Sequence, residues 1–262
     1  MKECLGDKTI EHLQAGDAGL FRDYLFDKGL SSSSVKRVFS TVKAIVNPSI
    51  RENGLGITNP FAGTFIPDDH NKVRREPIPA ENITAIQHLC RKMDDEPRWL
   101  IALISDTVMR LSEAAGLLSE DIVLDAVIPH INLREHAWRS LKTLSSQRKV
   151  PLVGASLWAA TRIKEQNTAF AFPKYCDEQK CNSNSTSAAL NKWLKPRVPY
   201  NCVIHSFRHS MRDRLRAVEC PADIIDVIGG WSTMGVGHKY GIGHGLTIKH
   251  NWMSELTRDL KG

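Results

Sequence analysis

Long apolar runs are missing from this 262-residue chain: no stretch approaches the ~18 residues that span a bilayer. The opening Met1-Lys2-Glu3-Cys4-Leu5-Gly6-Asp7 has no basic-then-apolar signal-peptide pattern, so a cytoplasmic protein without a membrane partner is the expectation. The six cysteines (Cys4, Cys90, Cys176, Cys181, Cys202 and Cys220) include no CxxC pair. Cys176 and Cys181 with His205 and His209 downstream are too loosely spaced for a zinc site, and free thiols in a reducing compartment are the better reading. Internal repeats and low-complexity tracts are absent as well. A hydrophobic share of 42% and a charged share of 24% leave an ordinary globular protein, long enough for one large domain or two smaller ones. Its net charge of +6 hints at a polyanionic partner, although such a balance alone selects none.

The first ~60 residues read as helices. Leu20-Phe21-Arg22-Asp23-Tyr24-Leu25 has apolar residues at helical spacing until Gly29, and Ser31-Ser32-Ser33-Ser34 supplies an N-cap for a second helix through Val35, Val38, Phe39, Val42, Ile45 and Val46. Lys36, Arg37 and Lys43 lie off that stripe, either on a solvated face or along DNA phosphates. Asn59-Pro60-Phe61 closes the helical unit, and a proline-punctuated stretch from Gly63 to Pro79 reads as a linker. The expected domains are therefore 1–75 and 76–262.

The second domain opens with helices expected at 80–93 and 97–106. Three short antiparallel strands are expected in Val127–Leu133, Ala137–Leu141 and Arg148–Leu152, with Lys142–Gln147 joining the last two. Helices follow at 155–167, 186–195, 206–219, 221–229 and 245–260. The fold class is thus mainly α (α+β), with a small three-stranded antiparallel sheet inside a helical domain. Trp252, Met253 and Leu256 share one face of the last helix, which packs either in cis or on a neighbouring protomer.

Chemistry concentrates in a few places. On the helix from His205, Phe207, Met211, Leu215 and Val218 form an apolar stripe, while His205, Arg208, His209, Arg212 and Arg216 form a polar one. That second stripe is either an exposed basic face or, because helix N-termini favour anions, a place where His205 and Arg208 reach one phosphate. Arg110 stands between Met109 and Leu111 with Glu113 three residues on, as an ion pair, a ligand-directed guanidinium, or both. Lys142 sits beside a turn. Trp231 follows Gly229-Gly230 as a core aromatic or an indole donor. Tyr240, flanked by Lys239 and Gly241, stands in a polar, glycine-rich segment unsuited to a core.

Taken in order, these residues resemble the tyrosine recombinase, or phage integrase, family across nearly the whole chain. Thr107 to Leu117 is similar to the family's T-x-M-R-x-S-E-x-x-x-L segment, Lys142 to its β-hairpin lysine, and His205 with Arg208 to its H-x-x-R. Trp231 stands where the family more often has His, and Tyr240 stands nine residues later, where the family has its nucleophile. The resemblance implies a site-specific DNA recombinase with catalytic residues Arg110, Lys142, His205, Arg208, Trp231 and Tyr240, supported by Glu113. It implies cleavage through a 3′-phosphotyrosine with no metal, ATP or other cofactor. It also implies double-stranded DNA carrying recombination sites as partner and self-association into a tetrameric synapse. Lys36, Arg37, Lys43, Arg139 and Arg212 are the expected DNA-binding residues. Residues 1–75 look like the later part of the family's core-DNA-binding domain, whose usual first helix does not fit in the few residues available, so a missing native N-terminus is expected. Alternative functions are a type IB topoisomerase-like relaxase and a non-catalytic DNA-binding accessory protein.

Overall fold

The computed structural model describes residues 1–68, 75–142, 146–231 and 245–257. Two compact units divide the chain, Met1–Val73 and Arg74–Gly262.

The first unit is helical: α1 (Lys2–Leu5), α2 (Ala15–Asp27) and α3 (Ser32–Glu52). Gly29 ends the α2 segment in the left-handed conformation, at φ 78°, where a side chain would be strained. Ser31 caps α3 by accepting the Ser34 N–H. The apolar stripes of both helices meet around a three-ring cluster of Phe21, Phe39 and Phe61, with centroids 5.8 to 6.4 Å apart. Asn59 brings Phe61 in: its side-chain oxygen accepts the Phe61 N–H and its amide donates to Asn47. Lys36 and Arg37 are exposed and Lys43 is half-buried; Lys36 is paired with Asp68.

The second unit begins with α4 (Ala80–Met93) and α5 (Glu96–Ser105). Leu100 to Ser105 are all buried, which makes α5 the axis of the core, with α4, α7 (Gly154–Glu165) and α9 (Ser206–Ala217) packed around it. Each fully buried Leu, Ile or Phe there contributes about 1.5–3 kcal/mol. The short α6 (Leu111–Ala115) follows, and then a sheet of β1 (Ile122–Val123), β2 (His130–Leu133) and β3 (Arg148–Pro151). Helices α8 (Ser183–Leu194), α10 (Ala222–Gly229) and α11 (Leu246–Glu255) complete the unit.

The mainly helical fold with one small antiparallel sheet is the one expected, but one strand is corrected. The sheet order is β1-β2-β3, both pairs antiparallel, with Ile131 opposite Ile122 on one side and Val150 on the other. Ala137–Leu141 is not the middle strand; it makes only a bridge between His136 and Arg139. Its side chains explain why. Trp138 stacks flat on His136 at 4.7 Å and donates its indole N–H to the Gly116 carbonyl, while His136 binds buried Asp121. These contacts tie the segment to α6 and the β1 approach instead of to a ladder.

Asp106, fully buried after α5, joins three elements. One carboxylate oxygen accepts from Arg214 on α9 at 2.9 Å, the other from the Ala155 N–H in the first turn of α7 at 2.9 Å. Leaving Arg214 and that N–H without an acceptor is the costly outcome for a buried ion pair. Asp106→Ala is therefore expected to destabilise the chain by about 3–5 kcal/mol, read as a lower urea midpoint at unchanged slope. An unmoved midpoint would remove Asp106 from this role.

Candidate active site

Glu113 organises the site. Its side chain is 2% exposed and holds the start of α6, with one oxygen accepting the Arg110 N–H at 2.9 Å and the other paired with the Arg110 guanidinium. Arg110 is thus ion-paired, and its carboxylate partner fixes the direction of its guanidinium. Its Nη1 also donates to the Ser146 hydroxyl at 3.0 Å, joining α6 to the β2–β3 connection. Lys142, within the same connection, is exposed.

Arg208 comes to the same place from α9. It is 4% exposed, so the bland reading of this stripe as a uniformly solvated basic face fails for Arg208. Nη1 binds the Val108 carbonyl, and Nη2 donates to the Gly229 carbonyl at 3.1 Å. Val108 has φ 57°, a conformation that a β-branched residue adopts only when its surroundings impose it. Here the imposition comes from a fully buried side chain and a carbonyl held by Arg208, and the result turns the chain into Met109-Arg110. Burial first, and then Arg110 beside it, pulls the Arg208 pKa down to about 10.

Trp231 lies against this pair. The Arg208 and Arg212 guanidiniums each stand 5.0 Å from its ring, and its backbone N–H donates to the Asp226 carbonyl that ends α10. The ring lies directly over Gly229, where an added Cβ would fall 1.9 Å from it, so glycine is required there. Arg212 is also paired with Asp226 at 3.0 Å.

His205 opens α9 as an exposed residue, with the His209 ring 5.6 Å away. Loss of hydration, and then the cations Arg208, His209, Arg75 and Arg110, hold its pKa down to about 4. The imidazole is therefore neutral at pH 7 and able to accept a proton. Alongside, Arg75, His209, Arg212 and Arg216 line a cleft of about 580 Å³ that also includes Glu76 and Asp213.

Sequence reading missed Arg148, which it took only as a strand residue. Arg148 opens β3 with its side chain 6% exposed and 3.6 Å from the Glu113 oxygen that accepts the Arg110 N–H. It donates to the Ile228 carbonyl at 3.2 Å and the Ser146 carbonyl at 2.8 Å, and burial lowers its pKa. Gly230, left-handed at φ 58°, passes so close that an added Cβ would sit 2.8 Å from its guanidinium. Two arginines from different elements thus hold consecutive carbonyls at the end of α10. The only advance signal was a charge opening a strand otherwise bound for the core.

Arg139 corrects an expectation. Placed among the DNA-binding residues, it is instead 4% exposed, donating to the Arg134 and Gly116 carbonyls, because its stem packs against Gly116 at the end of α6. Tyr240 lies outside the described residues. Among the described residues no group of three or more His, Cys, Asp or Glu side chains is arranged to hold a metal ion.

The model of the phage integrase family matches residues 77–241, well over half the chain. The chain belongs to the phage integrase family. It is accordingly a site-specific DNA recombinase of the tyrosine type. No curated protein sequence matches it. Among solved structures, it is similar to the Tn1549 transposon integrase in complex with transposon right end DNA: 18% identity, TM-score 0.65, covering 98% of this chain and 89% of that one. It is also similar to a lambda integrase dimer bound to a COC' core site, with 16% identity, TM-score 0.64 and coverage of 91% and 67%. A lambda integrase tetramer bound to a Holliday junction matches at 15% identity and TM-score 0.62, covering 91% and 67%. At these identities the likeness carries the fold, and the family match carries the membership.

The His205 pKa gives a stability prediction with a definite sign. Its folded value, about 4, lies below the ordinary 6.5, so the unfolded chain binds the extra proton between those pH values. This residue's contribution to stability is full above pH 6.5 and declines as pH falls toward 4. An NMR titration of the DNA-free protein is expected to place the His205 midpoint near 4; a midpoint at 6.5 would mean that the cations do not act on it.

Proposed function

We propose that the recombinase cleaves and rejoins DNA through a 3′-phosphotyrosine at Tyr240, without metal or ATP. The observation that supports this most is the convergence of Arg110 and Arg208, from α6 and α9, beside the single carboxylate of Glu113, with neutral His205 at the start of α9. A phosphodiester under attack accumulates negative charge on its non-bridging oxygens, and two fixed guanidiniums neutralise it with little reorganisation. They supply the charge that a metal would otherwise bring.

In this reading Tyr240 attacks the scissile phosphorus and the bond to the 5′-oxygen breaks. The phenol, with an ordinary pKa near 10, gives its proton to His205, which the surrounding cations keep neutral until the phosphate arrives. Lys142 protonates the departing 5′-oxygen. The phosphotyrosine conserves the energy of the diester, so a 5′-hydroxyl from a second strand reverses the step and completes the exchange. Trp231 backs Arg208 and Arg212 with its ring, a role as a cation platform in addition to that of an indole donor.

The partner in this reading is double-stranded DNA with specific recombination sites, held between protomers in a tetrameric synapse. The solved DNA complexes of the similar integrases and the lambda integrase tetramer support it. The basic cleft of Arg75, His209, Arg212 and Arg216 beside the site is a surface suited to DNA phosphates. Lys36, Arg37 and Lys43 on α3 are proposed as backbone contacts of the first unit.

Two measurements test the chemistry. Tyr240→Phe is expected to abolish covalent capture on a nicked suicide substrate while gel-shift binding survives; an adduct formed by this variant would sink the assignment. Lys142→Ala is expected to slow cleavage by roughly 10²–10⁴-fold, the usual size of a general-acid contribution. A 5′-bridging phosphorothiolate, whose leaving group needs no proton, restores the rate of that variant, and failure to restore it would take Lys142 out of the role.

A further inference from the structure

Between the core residue Tyr175 and the start of α8 the chain makes a tight hairpin that the recombination chemistry leaves unused. Cys176 and Cys181 face each other across it as an antiparallel bridge. The bonds that define this bridge belong to the flanking residues: Asp177 N–H to the Lys180 carbonyl at 3.1 Å, and Asn182 N–H to the Tyr175 carbonyl at 2.9 Å. The two cysteines are therefore a non-hydrogen-bonded pair. Such pairs have Cα atoms only ~4.5 Å apart and the closest side chains in a ladder, which falls inside the ~4.4–6.8 Å range that a disulfide requires.

The hairpin is held in this register. The Asp177 carboxylate accepts from both the Gln179 and Lys180 N–H groups, at 2.9 and 3.0 Å, and these bonds lower its pKa. Cys176 faces inward, 3% exposed, while Cys181 is half-buried beside an exposed turn of residues 177–180. Buried Arg139 acts electrostatically on both sulfurs, and its Nε–H is buried with no acceptor. No other cysteine stands on a bridge or strand among the described residues.

We propose that Cys176 and Cys181 form a dithiol site at which a small-molecule disulfide of the oxidised-glutathione class installs an intramolecular disulfide. Cys181, the accessible thiol, loses its proton and attacks one sulfur of the oxidant. The oxidant's S–S bond breaks, and one small thiol leaves with the proton. Cys176 then loses its proton and attacks the Cys181 sulfur of the mixed disulfide, expelling the second small thiol. The two protein sulfurs lose two electrons together, and the oxidant gains both.

Burial pushes the Cys181 thiol up and the Cys176 thiol up to about 12, and the Arg139 cation opposes burial at both. The second step is accordingly slow at neutral pH and speeds up as pH rises. The modification bears on the site through packing, since the hairpin leads into α8, and α8 packs on the helix that Arg110 opens.

The test uses the full native chain in an oxidised-glutathione buffer, quenched with acid and alkylated. The titre of six thiols is expected to fall by two, with the mass of two hydrogens lost and a single cross-linked peptide joining Cys176 to Cys181. Cys181→Ala is expected to abolish that cross-link, and reducing agent to restore the full titre in the unsubstituted protein. Three results would overturn the proposal: an unchanged titre under conditions that oxidise the urea-unfolded chain, a bond mapped to other cysteines, or a glutathione adduct on Cys181 that never resolves. Because thiols are counted and not recombination, the outcome is independent of the Tyr240 chemistry.

Discussion

One buried carboxylate makes the catalytic unit possible. Three guanidiniums, those of Arg110, Arg148 and Arg208, come from α6, β3 and α9 into one place, the last two buried and the first part-buried, and Glu113 is the negative charge among them. Without it, desolvation and mutual repulsion would turn these side chains outward. With it, the helix after Val108, the first residue of the sheet's last strand and the first turn of α9 are tied to one point. The rest of the unit, from the α5 core to the Asp106 junction, holds these elements at the right distance from that point.

Much of this was legible in order along the chain, because the signals were local. The i, i+3 spacing of Arg110 and Glu113 announces an ion pair, which forms, and the apolar stripe of Phe207, Met211 and Leu215 does become the buried face of α9. What escaped notice depended on tertiary partners. Ala137–Leu141 alternates like a strand, but His136 and Trp138 find better partners in Asp121 and the Gly116 carbonyl than a ladder offers. Arg139 and Arg148 looked like surface cations because arginine usually is one. Only the fold shows that carbonyls and a carboxylate wait for them inside. The last helix had two open destinations, and in the single chain α11 packs in cis: Met253 is buried in one cluster with Val108 and Ile224, and Lys249 donates to the Lys149 carbonyl at 2.6 Å.

The end of α10 shows how backbone and side chain share one task. Helix ends leave carbonyls without partners, and here Ile228 and Gly229 offer theirs to Arg148 and Arg208. The glycines at 229 and 230 permit the approach, one beneath the Trp231 ring and the other beside a guanidinium. Arg148 and Arg208 thereby fix the point where the chain leaves α10.

An excess of guanidinium over carboxylate in a dry space has a cost when the site is empty, visible in the lowered pKa values of Arg208 and Arg148 and in the neutral state of His205. Any anion that settles there relieves that cost in the folded chain and not in the unfolded one, so by mass action it acts as a folding ligand. The catalytic unit is then at its most rigid and most stable when occupied, and resistance to heat or protease becomes a gauge of occupancy that needs no recombination to read.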